Sequence, residues 1–375
     1  MKNNTLGFIF SENPEVNLGE LTSFRSLAAV PVGGRYRIID FVLSNMVNSG
    51  IINIGIATSS KNQSLADHLG SGKDWDMARK NNGLFILPPP DTMNSADHIA
   101  GGVDYIVRAA NYLKRSHQDY VLVSYCNTIC NIDYDEVLDF HIEKEADITL
   151  IHTKAGELSN VDLKKNILIG VDDNNKVTDI QVYPSRQKLD NSYMHMFLIK
   201  KELLINLAGD CAAHDKHSIT KDILLFNLKN LKIYSYEFSG YKKTIDSITS
   251  FFEFNLDLLK KEVRDELFGD ASDAIYTKVK DTVPTRYGRD CDISNSFIAD
   301  GCTIEGGVEN CIIFRGVHIG KGTKVKNSII MQNSQVLDNC VVENAIFDKE
   351  VVLRKDKKII GQETYPVVVG KGTIV

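Results

Sequence analysis

From residue 291 the sequence acquires a fixed period, and a fixed period restricts a fold more tightly than any propensity. The run ISNSFIADGCTIEGGVENCIIFRGVHIGKGTKVKNSIIMQNSQVLDNCVVENAIFDKEVVL has an aliphatic residue at about every sixth position. Ile298, Ile304, Ile313, Ile319, Val325, Val336 and Val342 belong to the series, separated by small or polar residues and glycine turns. Strands of an antiparallel sandwich would alternate with period two instead. A hexapeptide repeat winds as a left-handed parallel β-helix, with each aliphatic side chain pointing into a narrow prism.

Upstream the rhythm is different. LGFIF, INIGIAT and YVLVSY read as short apolar strands separated by the helical stretches IIDFVLSNMVNSG and VDYIVRAANYLKR. ADITLIHT, NILIGVD, KKELLINLA and SITKDILLFNL continue the pattern to about residue 240, the rhythm of a parallel sheet with crossover helices. The amphipathic stretch SITSFFEFNLDLLKKEV then leads out. The expected organisation is an α/β domain over residues 1–245, a helix-bearing linker over 246–285 and the β-helix over 286–375. A chain of 375 residues, 43% hydrophobic and 25% charged, is long enough for more than one core. Its formal charge of −6 supplies no global basic field for nucleic acid or an anionic membrane surface. The five-residue apolar run near the N-terminus is too short for a signal peptide, and no stretch approaches the ~18 apolar residues of a membrane span, so the expected location is the cytoplasm. Seven scattered cysteines suit reduced, buried thiols, and Cys126 and Cys130 in CNTIC lack the spacing of a zinc site.

The first strand runs into SENPEVNLGELTSFRSLAA, where a nucleotide-binding domain would turn a glycine-rich loop around phosphate. The flanking stretches GGRYRIIDFVLSNMVNSGI and GSGKDWDMARKNNGLFILPP, followed by hexapeptide repeats, resemble bacterial ADP-glucose pyrophosphorylase, that is, glucose-1-phosphate adenylyltransferase. NSADHIAGG, residues 94–102, is similar to that family's GTADAIYQN, and YPVVVGKGTIV to its closing β-helix segment. The resemblance spans nearly the whole chain and implies a Rossmann-like nucleotidyltransferase domain with a mostly parallel sheet, then the β-helix.

Four departures fall on the family's chemistry. Its opening AGGxGTRLxPLTxxRAKPA loses its glycines to Glu12, Asn13 and Glu15, its arginine to Asn17 and its lysine to Leu27, while Leu18, Leu21, Thr22 and Arg25 remain. Glycines let backbone N–H groups close on phosphate, and a carboxylate opposes it: at an effective dielectric near ~20, a carboxylate ~5 Å from a phosphate charge costs on the order of 3 kcal/mol. Where the family reads SGDHIYKMDY, its metal-binding aspartate is Asn127; where it reads GYWRDVGTI, the partner aspartate is Thr244, with Asp246 two residues out of register. The lysine of its EEKP, which contacts the sugar phosphate, is replaced by Tyr183. Asp97 keeps its place, with His98 beside it. Losses in the phosphate, metal and sugar-phosphate subsites together resemble the second, regulatory subunit that some bacteria pair with a catalytic homologue. That resemblance implies glycogen biosynthesis, little activity alone, no cofactor bound by this chain with magnesium used by the catalytic partner, and a heterotetramer. The alternative is an active nucleotidyltransferase making ADP-glucose from ATP and glucose 1-phosphate with an altered site.

In this family an anionic effector binds close to the segment matching GGRYRIIDF, so Arg25, Arg35 and Arg37 form a candidate basic patch for a sugar phosphate or phosphate. Their other reading is structural, as local partners of carboxylates. Arg354, Lys355, Lys357 and Lys358 read as a solvated β-helix edge, and His214 and His217 as exposed. Hexapeptide β-helices also occur in acyltransferases, which need a histidine base; His318 is the one histidine in the repeats and reads as a surface residue.

Overall fold

In the computed structural model, residues 4–89, 101–269 and 273–375 are described. Asp97, His98 and most of NSADHIAGG lie outside them. Contacts gather into two units, the first made of residues 1–14, 42–62 and 69–242, the second of 15–41, 63–68 and 243–375.

The first unit is built on a sheet of nine strands among the described residues. In chain order these are β1 (Thr5–Phe10), β2 (Asn53–Ala57), β3 (Gly83–Leu87), β4 (Tyr120–Tyr125), β5 (Ile148–Lys154), β6 (Ile167–Val171), β7 (Val177–Val182), β8 (Asn191–Lys200) and β9 (Ile233–Glu237). The main path runs β7-β6-β8-β4-β1-β2-β3, with β5 paired to β8 and β9 to β5. The strands β4, β1, β2 and β3 are parallel, as the alternating rhythm predicts, whereas β8 runs antiparallel to β4, β5 and β6. All six residues of β1 are buried, which is why TLGFIF is a continuous rather than alternating apolar run. Gly7 sits where a Cβ would lie 2.6 Å from Met46 Sδ, so the glycine lets a helix approach the strand closely. The core combines Leu6, Phe8, Val121, Val123, Leu150 and Phe197 with Ile106 and Leu204 from helices.

The second unit contains the β-helix. Among the described residues, strands of two or three residues form three parallel sheets of five strands each. Ile304, Ile313, Ile319, Val325, Val336 and Val342 all point into its core, as the period requires. One corner is turned by Asn295, Asn310, Asn327 and Asn344, with φ of 38°, 51°, 45° and 48°; asparagine tolerates this left-handed backbone. The first three also bond along the ladder, Asn295 Nδ2 to Asn310 Oδ1 at 2.7 Å and Asn310 Nδ2 to Asn327 Oδ1 at 3.2 Å. SITSFFEFNLDLLKKEV gives the helix Ile248–Asp257, capped by Ser247, whose Oγ accepts from Ser250 N at 3.2 Å. Its Phe251, Phe252 and Phe254 are buried, and its Asn255 Oδ1 accepts from Gly33 N at 2.9 Å. Residues 15–41 therefore group with the β-helix, although the division by sequence pattern places them in the α/β domain.

Candidate functional site

In an α/β sheet the ligand crevice lies outside the carboxyl ends of the strands, where the strand order reverses. Here that place is β1, flanked in parallel by β4 on one side and β2 on the other. Its continuing loop is Ser11-Glu12-Asn13-Pro14. Ser11 N still donates to Ala57 O at 3.0 Å, and Cys126 N to Phe10 O at 3.1 Å, so strand pairing carries the chain into the crevice. There Glu12 Oε1 accepts from Ser59 Oγ at 2.9 Å. Asn13 Nδ2 reaches Asn127 Oδ1 at 3.5 Å, with both residues buried. Two of the positions that depart from the family pattern thus meet, amide to amide. Burial, with Glu12 second, pushes the Tyr105 phenol up to about 12 and the Cys126 thiol well up. The loop brings a negative charge where a phosphate loop brings N–H donors, and Asn127 brings a neutral amide where magnesium sites bring a carboxylate.

Two bulky residues of this unit hold left-handed backbone, a strain of about 1–3 kcal/mol each. Tyr183 has φ 52°, and its hydroxyl is buried with no hydrogen-bond partner, so a phenol packed inward replaces the cation of the family pattern. His195 has φ 58° in an irregularity of β8 between Tyr193 and Phe197. Its ring lies 5.9 Å from that of Tyr125 and 5.3 Å from that of Tyr193. Burial, then Lys242, lowers it to about 4, leaving a neutral imidazole at neutral pH. Sequence reasoning missed His195; the only signal was an unpatterned polar residue inside NSYMHMFLI.

The remaining departures belong to the second unit. Asn17 is exposed, and its Oδ1 accepts from Gly19 N at 2.8 Å in a local turn. Leu27 is buried, and Thr244 is half-buried in the two-residue strand Lys243–Thr244. Asp246 Oδ1 accepts from Ser250 Oγ at 2.9 Å at a helix start.

Arg25, Arg35 and Arg37 do not form one exposed patch. Arg25 is buried, and its two terminal nitrogens donate to Asp348 Oδ1 and Oδ2 at 2.9 and 3.0 Å, a forked pair in the β-helix wall. The structural reading applies to Arg25. Arg37 donates to Ser64 O at 2.6 Å and Ser64 Oγ at 3.0 Å, and burial lowers it to about 10. Arg35 is exposed, its guanidinium 5.8 Å from the Tyr36 ring centre. Further cations gather around these arginines. Burial, then Arg37 and Arg25, lower Lys349 to about 7, against the pull of Asp348. Arg315 is lowered by burial and then by Arg35, and its Nε is buried without a partner.

Other candidates resolve simply. Arg354, Lys355, Lys357 and Lys358 are exposed, with Lys355 paired to Asp338 at 2.7 Å. His214 is exposed, whereas His217 bonds Asp104 and Asp215. Cys126 and Cys130 are buried thiols, and half-buried His318 sits in the ladder between Thr303 and Gln335. No helix among the described residues is long and apolar enough to cross a membrane.

A strand-end crevice at the reversal of strand order, in a chain that continues as a hexapeptide β-helix, defines a nucleotidyltransferase-type protein. Residues 17–261 match the nucleotidyl transferase family and residues 280–365 the GlmU-like C-terminal hexapeptide family. The chain is 36% identical over 372 residues to the glycogen biosynthesis protein GlgD of Bacillus subtilis (strain 168), covering 99% of this chain and 97% of that one. It is 40% identical over 325 residues to GlgD of Geobacillus stearothermophilus, covering 87% and 84%. Glucose-1-phosphate adenylyltransferase of Clostridium perfringens (strain SM101 / Type A) is 33% identical over 344 residues, covering 89% and 86%. The chain belongs to the ADP-glucose pyrophosphorylase family.

Proposed function

We propose that this chain is a regulatory subunit of glucose-1-phosphate adenylyltransferase in glycogen biosynthesis, with a degenerate nucleotide crevice of its own, and that it stimulates a catalytic homologue within a heterotetramer. The observation that carries this reading is the loop after β1: Glu12 held by Ser59, and Asn13 bonded to Asn127. A carboxylate stands against phosphate there, and a neutral amide replaces the metal's anionic anchor. Magnesium then serves the catalytic partner, where it screens the transferring group. Likeness to the two glycogen biosynthesis proteins GlgD at 36% and 40% identity supports the place in glycogen biosynthesis.

Under this reading the chain contributes a site for an anionic effector, a sugar phosphate or phosphate. Arg35 and Arg37 are its direct contacts, Arg315 and Lys349 supply further positive charge, and Arg25 holds the wall in place through Asp348. Preparing the chain with and without its catalytic homologue and assaying ADP-glucose formation tests the proposal. Alone, it should fall at least ~10³-fold below the catalytic homologue, because metal charge stabilisation is worth several kcal/mol. Asn127→Asp by itself should not restore turnover, since Glu12 and Tyr183 remain. Mixing should raise the partner's activity and give one larger species on size exclusion. Comparable turnover by the isolated chain would establish the altered-site enzyme instead, and two separate peaks with unchanged kinetics would refute the subunit role.

A further inference from the structure

One corner of the β-helix is short. Tyr287 pairs with Ile304, Ile319 with Val336, and Val336 with Leu353, each seventeen residues on; Ile304 pairs with Ile319, only fifteen on. The missing length lies at one turn. The first coil crosses it with residues 288–291 between Tyr287 and Asp292, the third with residues 320–323 between Ile319 and Lys324, and the second with Glu305 and Gly306 alone. The second coil is therefore recessed between two protruding turns, and the recess is a groove of about 830 Å³, within the range of ligand clefts.

Its two floor glycines have different reasons. A Cβ on Gly306 would lie 2.4 Å from Thr323 O, so close packing of the coils demands glycine there. A Cβ on Gly307 would meet nothing nearer than 3.8 Å, and its backbone is not left-handed, so neither packing nor conformation requires the open space above it.

The rim says what would fill that space. Arg286, Arg289 and Lys324 face Asp290, Asp292 and Glu305, and none of these side chains has an ion-pair or hydrogen-bond partner among the described residues. At the far side Lys326 and Glu309 pair at 3.3 Å. The nearly balanced signs give no net field for a polyphosphate or nucleic acid. Among the described residues that line the groove, Tyr287, 53% exposed, is the one large exposed apolar group, too little for a hydrophobic peptide groove. Free donors, free acceptors and one exposed ring suit a neutral polyhydroxylated ligand, whose hydroxyls donate and accept and whose ring face packs on the tyrosine.

We propose that this notch binds a short segment of α-glucan. The choice of α-linked glucose rests on the glycogen assignment above; the polyhydroxyl chemistry rests on the notch alone. The test is calorimetric titration of the full chain with maltoheptaose in the millimolar range. Wild type should bind saturably, and both Tyr287→Ala and Gly307→Leu should weaken binding by about tenfold or more, the scale of a 1.4 kcal/mol contact, with unchanged melting. Gly307→Leu fills the groove and Tyr287→Ala empties its wall, so loss of binding by both excludes one local folding defect. Absence of saturation in wild type, or wild-type affinity in both variants, overturns the proposal. Stimulation of the catalytic homologue, measured on the same variants, should be unchanged; its loss with glucan binding intact would make the notch a subunit interface and equally overturn the glucan site. Failure of stimulation by wild-type chain would instead overturn the regulatory reading and leave the glucan titration standing.

Discussion

At the strand ends of the first unit, Glu12 is satisfied by a serine and Asn127 by another amide, whereas in the second unit Arg25 meets both oxygens of a buried carboxylate. The first arrangement sets a carboxylate and two buried amides among polar side chains. The second is a buried ion pair with more cations around it than anions. In the second unit, structural charge holds the β-helix wall through the Arg25–Asp348 pair. The difference teaches that the two regions answer to different demands: under the proposed regulatory reading the first has given up the electrostatics of a ligand, while the second keeps those of a fold.

The sharpest way to break this comparison is to cut the buried pair. Arg25→Ala leaves Asp348 as an uncompensated carboxylate of 0% exposure and should cost about 3–5 kcal/mol in denaturant unfolding. Asp348→Ala should cost a similar amount. The double replacement Arg25→Met with Asp348→Leu should recover much of the loss, because breaking a buried pair is dearer than removing it whole. A loss below about 1 kcal/mol in either single variant would mean the pair behaves as a surface pair and the comparison fails.

Next in size is the effector response. Arg35→Ala in this subunit alone should abolish about tenfold activation of the mixed enzyme, equivalent to about 1.4 kcal/mol of coupling, while leaving assembly and basal stimulation intact. An unchanged response would make stimulation a matter of completing the oligomer.

The depressed Lys349 sharpens the same point through pH. Its folded value of about 7 lies below the ordinary 10.5, so the lysine is neutral above about pH 7 in the folded protein, and an anion bound at the proposed site would draw a proton onto it. Sulfate, which does not titrate in this range, should bind several-fold more tightly at pH 7 than at pH 8, and Lys349→Met should remove that dependence. Calorimetry in two buffers of different ionisation enthalpy reads the proton uptake directly. Equal pH dependence in the variant would remove Lys349 from the anion site.

Much of this was legible beforehand, and what was not has physical causes. The β-helix followed from its aliphatic period because every coil buries the same positions. The short coil escaped notice because a period judged at about six tolerates two missing residues where Gly306 and Gly307 blur the turn. Glu12 and Asn127 could be singled out one at a time against a family pattern, but that Asn13 would bond Asn127 depended on β1 and β4 lying side by side. The Arg25–Asp348 pair joins residues 323 positions apart, beyond any local pattern. His195 owes its interest to a backbone angle, and no residue type announces that.

The smallest expected effect belongs to one of the ionic contacts of the first unit. His217 Nδ1 lies 2.9 Å from Asp104 and its Nε2 3.0 Å from Asp215, and these two hydrogen bonds, Asp104 first, raise it from the ordinary 6.5. A histidine raised in the folded state stabilises fully below its unfolded value, and the stabilisation fades as pH climbs through the higher folded value. The ring is 32% exposed and Asp215 84%, so screening holds the contribution below about 1 kcal/mol. His217→Asn should therefore lower stability by a few tenths of a kcal/mol at pH 6 and by nothing measurable at pH 9, read from urea midpoints at the two pH values. Asp104 also accepts from Gly101 N at 2.7 Å, so the variant must be made at the histidine and not at the aspartate. A loss that is equal at both pH values would mark the contact as packing rather than charge. A loss as large as that of Arg25→Ala would erase the distinction between an exposed, pH-dependent latch and a buried, permanent pair.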